Sequence, residues 1–123
     1  MHTFSDGVNC TMLAPIARDN TVDYSVLAPM VDWYLAHGCS SLFAMCHSTE
    51  LNFLSMQERL HIIKHVADIC SSRTAHHGKK PDVIAAGTFS TDIPAMAEEI
   101  LAISQCGADA VVLITNRLDP QNQ

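Results

Sequence analysis

Five consecutive residues, Cys46 to Glu50, supply a thiol, an imidazole, two hydroxyls and a carboxylate. A Cys–His pair can act as nucleophile and base. Neighbours on an extended strand point to opposite faces, however, so we do not expect Cys46 and His47 to meet. The hydroxyls of Ser48 and Thr49, with backbone N–H groups where the loop enters a helix, could instead bind a carboxylate. The alternative is that both hydroxyls only satisfy the backbone of the turn.

Other histidines and the lysines offer weaker candidates. His76-His77 stands beside Lys79-Lys80 in a polar connector without a spaced second pair, which predicts a solvated loop and no metal site. The third lysine, Lys64, lies on a polar helix face. A lysine that attacks a carbonyl must be held in a pocket that lowers its pKa. None of the three lysines is predicted to lie in a strand or at the carboxyl end of a strand. We therefore expect no imine-forming lysine in this chain, and no metal or cofactor.

The composition narrows the class of partner. The chain has 123 residues, of which 48% are apolar and 16% charged, with a net charge of −6. This suits one domain with a packed core and excludes intrinsic disorder. Because no run of Lys or Arg is present, nucleic acid and anionic membranes are not expected as partners. A small neutral or anionic ligand in a local pocket fits better.

The cysteines and the first residues predict the compartment. The odd number of cysteines without a Cys-x-x-Cys pair is typical of buried thiols in a reducing environment. Neither a secretory leader nor a membrane span is expected, since the longest uncharged stretch, Trp33 to Thr49, is short and interrupted. We therefore predict a cytoplasmic protein. Four cysteines are expected to be small core residues: Cys10, Cys39, Cys70 and Cys106.

Apolar periodicity predicts the order βαβαβαβ. The first helix follows an Asp23 cap and stops at His37 before Gly38. The second begins with a capping box, Ser55 to Glu58. Its polar face is predicted to comprise Gln57, His61, Lys64, His65, Asp68 and Ser72. A third helix starts near Thr91-Asp92, has Pro94 in its first turn and ends before Gly107. The predicted strands are Val8 to Leu13, Ser41 to Cys46, Asp82 to Ala86 and Ala108 to Ile114.

These elements predict an α/β fold, the N-terminal half of a TIM (β/α)8 barrel with about four βα units. Strand starts lie about 34 residues apart, against about 31 per unit in such a barrel. A doubly wound sheet is the alternative, but the first strand-to-helix turn carries no glycine-rich phosphate-binding motif. No helix follows strand four, so we expect residues 1–123 to be a partial barrel domain. The loops expected on the functional face are Ala14-Pro15, Cys46 to Glu50, Gly87 to Ser90 and Thr115 to Arg117.

One string of residues has a specific spacing: Glu50, Leu54-Ser55 and Glu58-Arg59. It is accompanied by Gly7-Val8 through Ala14-Pro15, Val22-Asp23, His37 to Glu50, Ile84 to Thr88 and Gly107 to Ala110. Together these residues resemble the dihydrodipicolinate synthase / N-acetylneuraminate lyase family along nearly the whole chain. The resemblance implies a barrel, usually tetrameric, that binds pyruvate or a related 2-oxo acid as a Schiff base on a lysine of strand six. An imine of this kind stabilises the carbanion formed beside it.

The resemblance also implies roles for individual residues. The family's Gly-Thr-Thr-Gly-Glu motif corresponds to Cys46 to Glu50, and its second Thr, a ligand of the substrate carboxylate, falls on Ser48. His47 replaces the first Thr of a proton relay, and Thr49 replaces a Gly. The relay tyrosine corresponds to Leu118. The strand-six lysine would lie beyond Gln123.

Two hypotheses follow. In the first, the chain is the N-terminal part of a Schiff-base aldolase or lyase, active as a tetramer or dimer when intact. Ser48 and Thr49 then bind the substrate carboxylate, and His47 transfers a proton. In the second, the chain is a non-catalytic half-barrel that associates with itself or with another half. The 123 residues alone are expected to be inactive, and their two open edge strands are expected to cause self-association.

Overall fold

The computed structural model describes residues 3–87 and 92–113. Within these ranges, strands and helices alternate along the chain. The strands are β1 (Val8–Thr11), β2 (Cys39–Met45), β3 (Asp82–Gly87) and β4 (Ala110–Leu113). The helices are α1 (Leu27–Ala36), α2 (Met56–Ser71) and α3 (Ile93–Gln105). Three short 3₁₀ turns span Tyr24–Val26, His47–Thr49 and Leu51–Phe53.

The helix boundaries follow from local signals. Asp23 accepts a hydrogen bond from Ser25 N at 3.0 Å, which caps the 3₁₀ turn that leads into α1. Gly38, with a φ of 91°, follows the end of α1 in the left-handed region that favours glycine. The capping box of α2 is confirmed, because Ser55 Oγ accepts from Glu58 N at 3.2 Å and Glu58 Oε2 accepts from Ser55 N at 2.8 Å. None of the helices in the described ranges is both long and apolar enough to cross a membrane.

All four strands are parallel and lie in the order β1-β2-β3-β4. Parallel neighbours are joined by right-handed crossovers, so an unreversed strand order brings every helix to the same face of the sheet. Contacts of α1 with α2, and of α2 with α3, agree with this placement. A doubly wound sheet needs a reversal of strand order to bring helices to both faces, and β1 to β4 contain none. The predicted barrel-type arrangement is thus confirmed for this part of the fold.

The register separates the two faces of the sheet. Cys10, Leu42 and Val83 form one row across the strands, and Leu42 and Val83 are fully buried beneath the helices. The next row is only half-buried or exposed on the opposite face and comprises Thr11, Phe43, Ile84 and Ala110. The main core, which includes Leu42, Val83 and Ile63, therefore lies between the sheet and the helices.

Strand ends differ from the predicted ones by one or two residues. β2 begins at Cys39 because this residue pairs with Val8 across the edge of the sheet. β4 begins at Ala110, not Ala108. The carboxylate of the preceding Asp109 accepts from Val83 N at 2.9 Å, in place of a backbone carbonyl. The predicted end of strand four, Ile114, lies outside the described residues.

The prediction that four cysteines are separate core thiols is wrong for two of them. Cys10 and Cys39 are joined by a disulfide between β1 and β2, whereas they were expected to be separate core thiols. Adjacent parallel strands bring together residues that are 29 positions apart in the sequence, a proximity that spacing alone does not reveal. Cys70 is a fully buried free thiol, as predicted, and Cys106 is half-buried and free.

Candidate functional site

The candidate site lies at the edge of the sheet where the parallel strands end. Beyond β1, Met12 N still donates to the Phe43 carbonyl of β2 at 3.0 Å, so the two strand ends stay side by side. The loop after β1 is held against the start of the first helical segment, where Asp23 N donates to the Pro15 carbonyl at 2.7 Å. The predicted functional segments Thr88 to Ser90 and Thr115 to Arg117 lie outside the described residues, as does Leu118.

Thr49 closes the loop after β2. Its side chain is 1% exposed, and its hydroxyl accepts from Cys46 N at 2.6 Å and lies 2.6 Å from the Cys46 carbonyl, to which it donates. Thr49 N also donates to that carbonyl, at 3.1 Å. For Thr49, the structure thus favours the alternative in which the hydroxyl satisfies the turn. The Cys-x-x-Thr spacing is a signal for this role, since a capping side chain lies three residues from its partner.

His47 and Ser48 occupy the outer side of the same 3₁₀ turn. Both side chains are exposed, whereas Cys46 is 8% exposed and belongs to the core. The imidazole and the Ser48 hydroxyl are therefore available to a ligand above the strand ends, and the Cys46 thiol is not. This agrees with the expectation that Cys46 and His47 do not form a nucleophilic pair.

Glu50 redirects the chain after this turn. Its φ of 54° and ψ of 32° are left-handed, an uncommon backbone conformation for a residue with a Cβ atom. The next residue, Leu51, is 1% exposed and anchors the following 3₁₀ turn in the core. The sequence gives no signal for this reversal, because glycine and asparagine are the residues usually found in that region.

A buried ion pair joins the start of α2 to α3. Arg59 Nη1 lies 3.1 Å from Glu99 Oε1 of α3, with the two side chains 12% and 8% exposed. At the end of β3, Gly87 lies close to α3 and β4. A Cβ atom there would approach Val111 Cγ1 to 2.8 Å and Ile103 Cδ1 to 3.1 Å. Charge pairing and close packing thus position the helices behind the candidate site.

Comparison with known proteins identifies the family. Residues 4–118 match the model of the dihydrodipicolinate synthetase family. The chain belongs to this family. It is 31% identical over 109 residues to a 4-hydroxy-tetrahydrodipicolinate synthase of Cellvibrio japonicus, covering 89% of this chain and 35% of that protein. It is 29% identical to the synthase of Psychrobacter arcticus, covering 88% and 33%. The chain thus spans about a third of the length of these relatives.

Solved structures of the dihydrodipicolinate synthetase family confirm the fold. A dihydrodipicolinate synthase of Bacillus anthracis superposes with a TM-score of 0.76 at 22% identity, over 90% of this chain and 36% of that one. The synthase of Acinetobacter baumannii, solved with pyruvate, gives 0.74 at 28% identity over 87% and 34%. The N-acetylneuraminate lyase of Proteus mirabilis gives 0.74 at 16% identity over 90% and 35%. The described strands and helices therefore correspond to one part of a TIM barrel.

Proposed function

We propose that this chain forms the N-terminal part of a Schiff-base aldolase, lyase or synthase that acts on pyruvate or a related 2-oxo acid. The observation that carries the proposal is the family match over residues 4–118. Two relatives of known structure, from Acinetobacter baumannii and the YagE protein of Escherichia coli, are described as complexes with pyruvate. The imine-forming lysine would be supplied by sequence beyond Gln123, and the intact protein would be a tetramer or dimer.

In this proposal Ser48 binds the substrate carboxylate through its exposed hydroxyl. Thr49 was also expected to contact the carboxylate, and we now propose that it acts by holding the turn that presents Ser48, because its hydroxyl already bonds to Cys46. His47, exposed beside Ser48, takes and returns the proton that the family's relay hydroxyl would handle. No metal or further cofactor is invoked for these steps.

Borohydride trapping tests the imine. If the reading frame continues past Gln123, the complete protein incubated with pyruvate and borohydride should gain the mass of a reduced pyruvate adduct on one lysine. The 123-residue chain treated in the same way should gain none, because Lys64, Lys79 and Lys80 are exposed. An absence of adduct on the complete protein would overturn the aldolase proposal.

Paired substitutions in the complete enzyme separate the two proposed roles. Ser48→Ala removes a hydrogen bond to a charged group and should raise KM for pyruvate about 10- to 100-fold, while Ser48→Thr keeps the hydroxyl and most of the affinity. His47→Ala should lower kcat by about a hundredfold or more, and His47→Thr should restore part of it. Unchanged turnover in both His47→Thr and His47→Ala would show that His47 transfers no proton and only lines the pocket.

The second candidate function is a non-catalytic half-barrel that associates with a second copy or another half. The exposure of the edge strands favours it, since Val8 of β1 is 59% exposed and Leu113 of β4 is 47% exposed. A reading frame that ends at Gln123, together with a stable dimer in solution, would support this function over the first.

A cytoplasmic location is part of the proposal. The Cys10–Cys39 disulfide weighs against it, because disulfides are rare in reducing compartments. Thiol labelling of the protein inside cells, before and after reduction, tests the location. Free Cys10 and Cys39 in the native host would support the cytoplasm.

A further inference from the structure

The polar face of α2 carries two histidines one helical turn apart. His61 and His65 are both exposed, and residues at i and i+4 of a helix lie side by side on one face. The opposite face of α2 is buried through Ile62, Ile63 and Val66, and its first turn is capped. The two imidazoles therefore project from a helix that is capped at its start and packed against the core.

A hydrogen bond fixes the tautomer of His65. Its Nδ1 lies 2.8 Å from the His61 carbonyl oxygen. A carbonyl only accepts, so this nitrogen carries a proton, and in the neutral imidazole the lone pair is on Nε2. Imidazoles that bind metals are commonly held in this way, with one ring N–H donated to a carbonyl and the other nitrogen facing the metal.

Tyr24 and the carboxylate of Glu58 complete the surroundings. The Tyr24 ring lies 4.8 Å from the His65 ring and 6.3 Å from the His61 ring, so both imidazoles border the same aromatic side chain. Glu58 precedes His61 by three residues. Asp68 follows His65 by three, but its carboxylate is paired with Lys64 Nζ at 3.2 Å. The hydrogen bonds from Ser55 hold the pKa of Glu58 below its usual range, so its negative charge persists near the histidines. A neighbouring carboxylate favours a bound cation.

We propose that His61 and His65 form a two-imidazole site for a late first-row divalent cation such as Ni²⁺, Cu²⁺ or Zn²⁺, with water in the remaining positions. Imidazole suits these metals, which bind nitrogen more tightly than Mn²⁺ or Fe²⁺. In residues 3–87 and 92–113 no group of three His, Cys, Asp or Glu side chains has metal-binding geometry. The cation is thus held by two protein ligands and exchanges readily. The site is separate from the proposed Schiff-base function, and it departs from the sequence-based expectation of no metal.

His37, which directly follows the last residue of α1, provides a matched control. Its Nδ1 lies 2.7 Å from the Trp33 carbonyl, which repeats the arrangement of His65. The residue one turn before it is Trp33, however, and this ring stacks on His37 at 4.1 Å. His37 is therefore an anchored histidine without a second imidazole at i−4.

Titration of the tag-free 123-residue chain with Ni²⁺ tests the proposal. Ni²⁺ is chosen because the free thiols do not reduce it. Calorimetry should give one saturable site, weakened about tenfold or more by His61→Ala and by His65→Ala, and unchanged by His37→Ala. Circular dichroism checks that the variants keep their helices, and both positions are exposed, so folding should be retained.

Localisation by NMR provides a second readout. Paramagnetic Ni²⁺ should broaden the amide signals around residues 61–65 first, and this selectivity should vanish in the double variant His61→Ala, His65→Ala. Equal Ni²⁺ affinity in wild type and the double variant, an equal loss in His37→Ala, or no saturable binding in the wild type would each overturn the proposal.

Discussion

Replacing Thr49 with valine removes one hydroxyl and keeps the shape of a buried side chain. The Cys46 N–H then loses its acceptor, now 2.6 Å away, in a loop whose flanking residues are buried. The Cys46 carbonyl keeps the N–H of residue 49, at 3.1 Å, so only one backbone group is left unsatisfied. A buried unsatisfied donor costs about 1–3 kcal/mol, and we expect Thr49→Val to lower the free energy of unfolding by about that amount.

Urea unfolding followed by circular dichroism measures this loss. With a slope of about 1–3 kcal/mol per molar urea, the midpoint should fall by about 1 M. All variants are compared at one protein concentration, because self-association makes the midpoint depend on concentration. Ser48→Ala is the control, since it removes a hydroxyl from the adjacent exposed position and should change stability by less than about 0.5 kcal/mol. Coinciding midpoints for Thr49→Val and Ser48→Ala would refute the assignment of the Thr49 hydroxyl to the turn.

Three further predictions concern the edges, a helix cap and a thiol. The 123-residue chain should self-associate through β1 and β4, and sedimentation showing a monomer at all concentrations would contradict this. Ser55→Ala removes the acceptor of Glu58 N and should cost about 1 kcal/mol in urea unfolding, whereas an unchanged midpoint would show that the cap adds nothing. Burial raises the pKa of the Cys70 thiol from 9.0 to about 11, so at pH 8 its thiolate fraction falls about 100-fold. Iodoacetamide should therefore label half-buried Cys106 well before Cys70, and equal rates in the folded protein would contradict the burial.

Local signals predicted most of the secondary structure. The Ser55–Glu58 capping box, Pro94 in the first turn of α3 and the glycine after α1 act within a few residues, so their effect can be read from neighbours in the chain. The predicted polar stripe of α2 is exposed throughout, because helical periodicity decides which side chains share a face. The family resemblance, based on Glu50, Leu54-Ser55 and Glu58-Arg59, is confirmed over residues 4–118.

The candidate site could be predicted only in part. Its location after β2 followed from the rule that loops at the carboxyl ends of parallel strands meet on one face. The difference in burial between Ser48 and Thr49 could not be predicted, because both are hydroxyl residues in one turn. The left-handed Glu50 was also missed, since a glutamate carries no preference for that conformation.

By itself, the sequence determined the order of strands and helices, their caps and the family, since each depends on residue types at short spacing. Only the tertiary structure decided that Cys10 meets Cys39, that Arg59 pairs with Glu99, and that Thr49 faces inward while Ser48 faces outward. The two pairings join residues that are 29 and 40 positions apart in the sequence. The orientations of Thr49 and Ser48 depend on which side of their turn is buried. The packing of the helices against the sheet determines the pairings and the orientation of the turn, and no local sequence pattern predicts that packing.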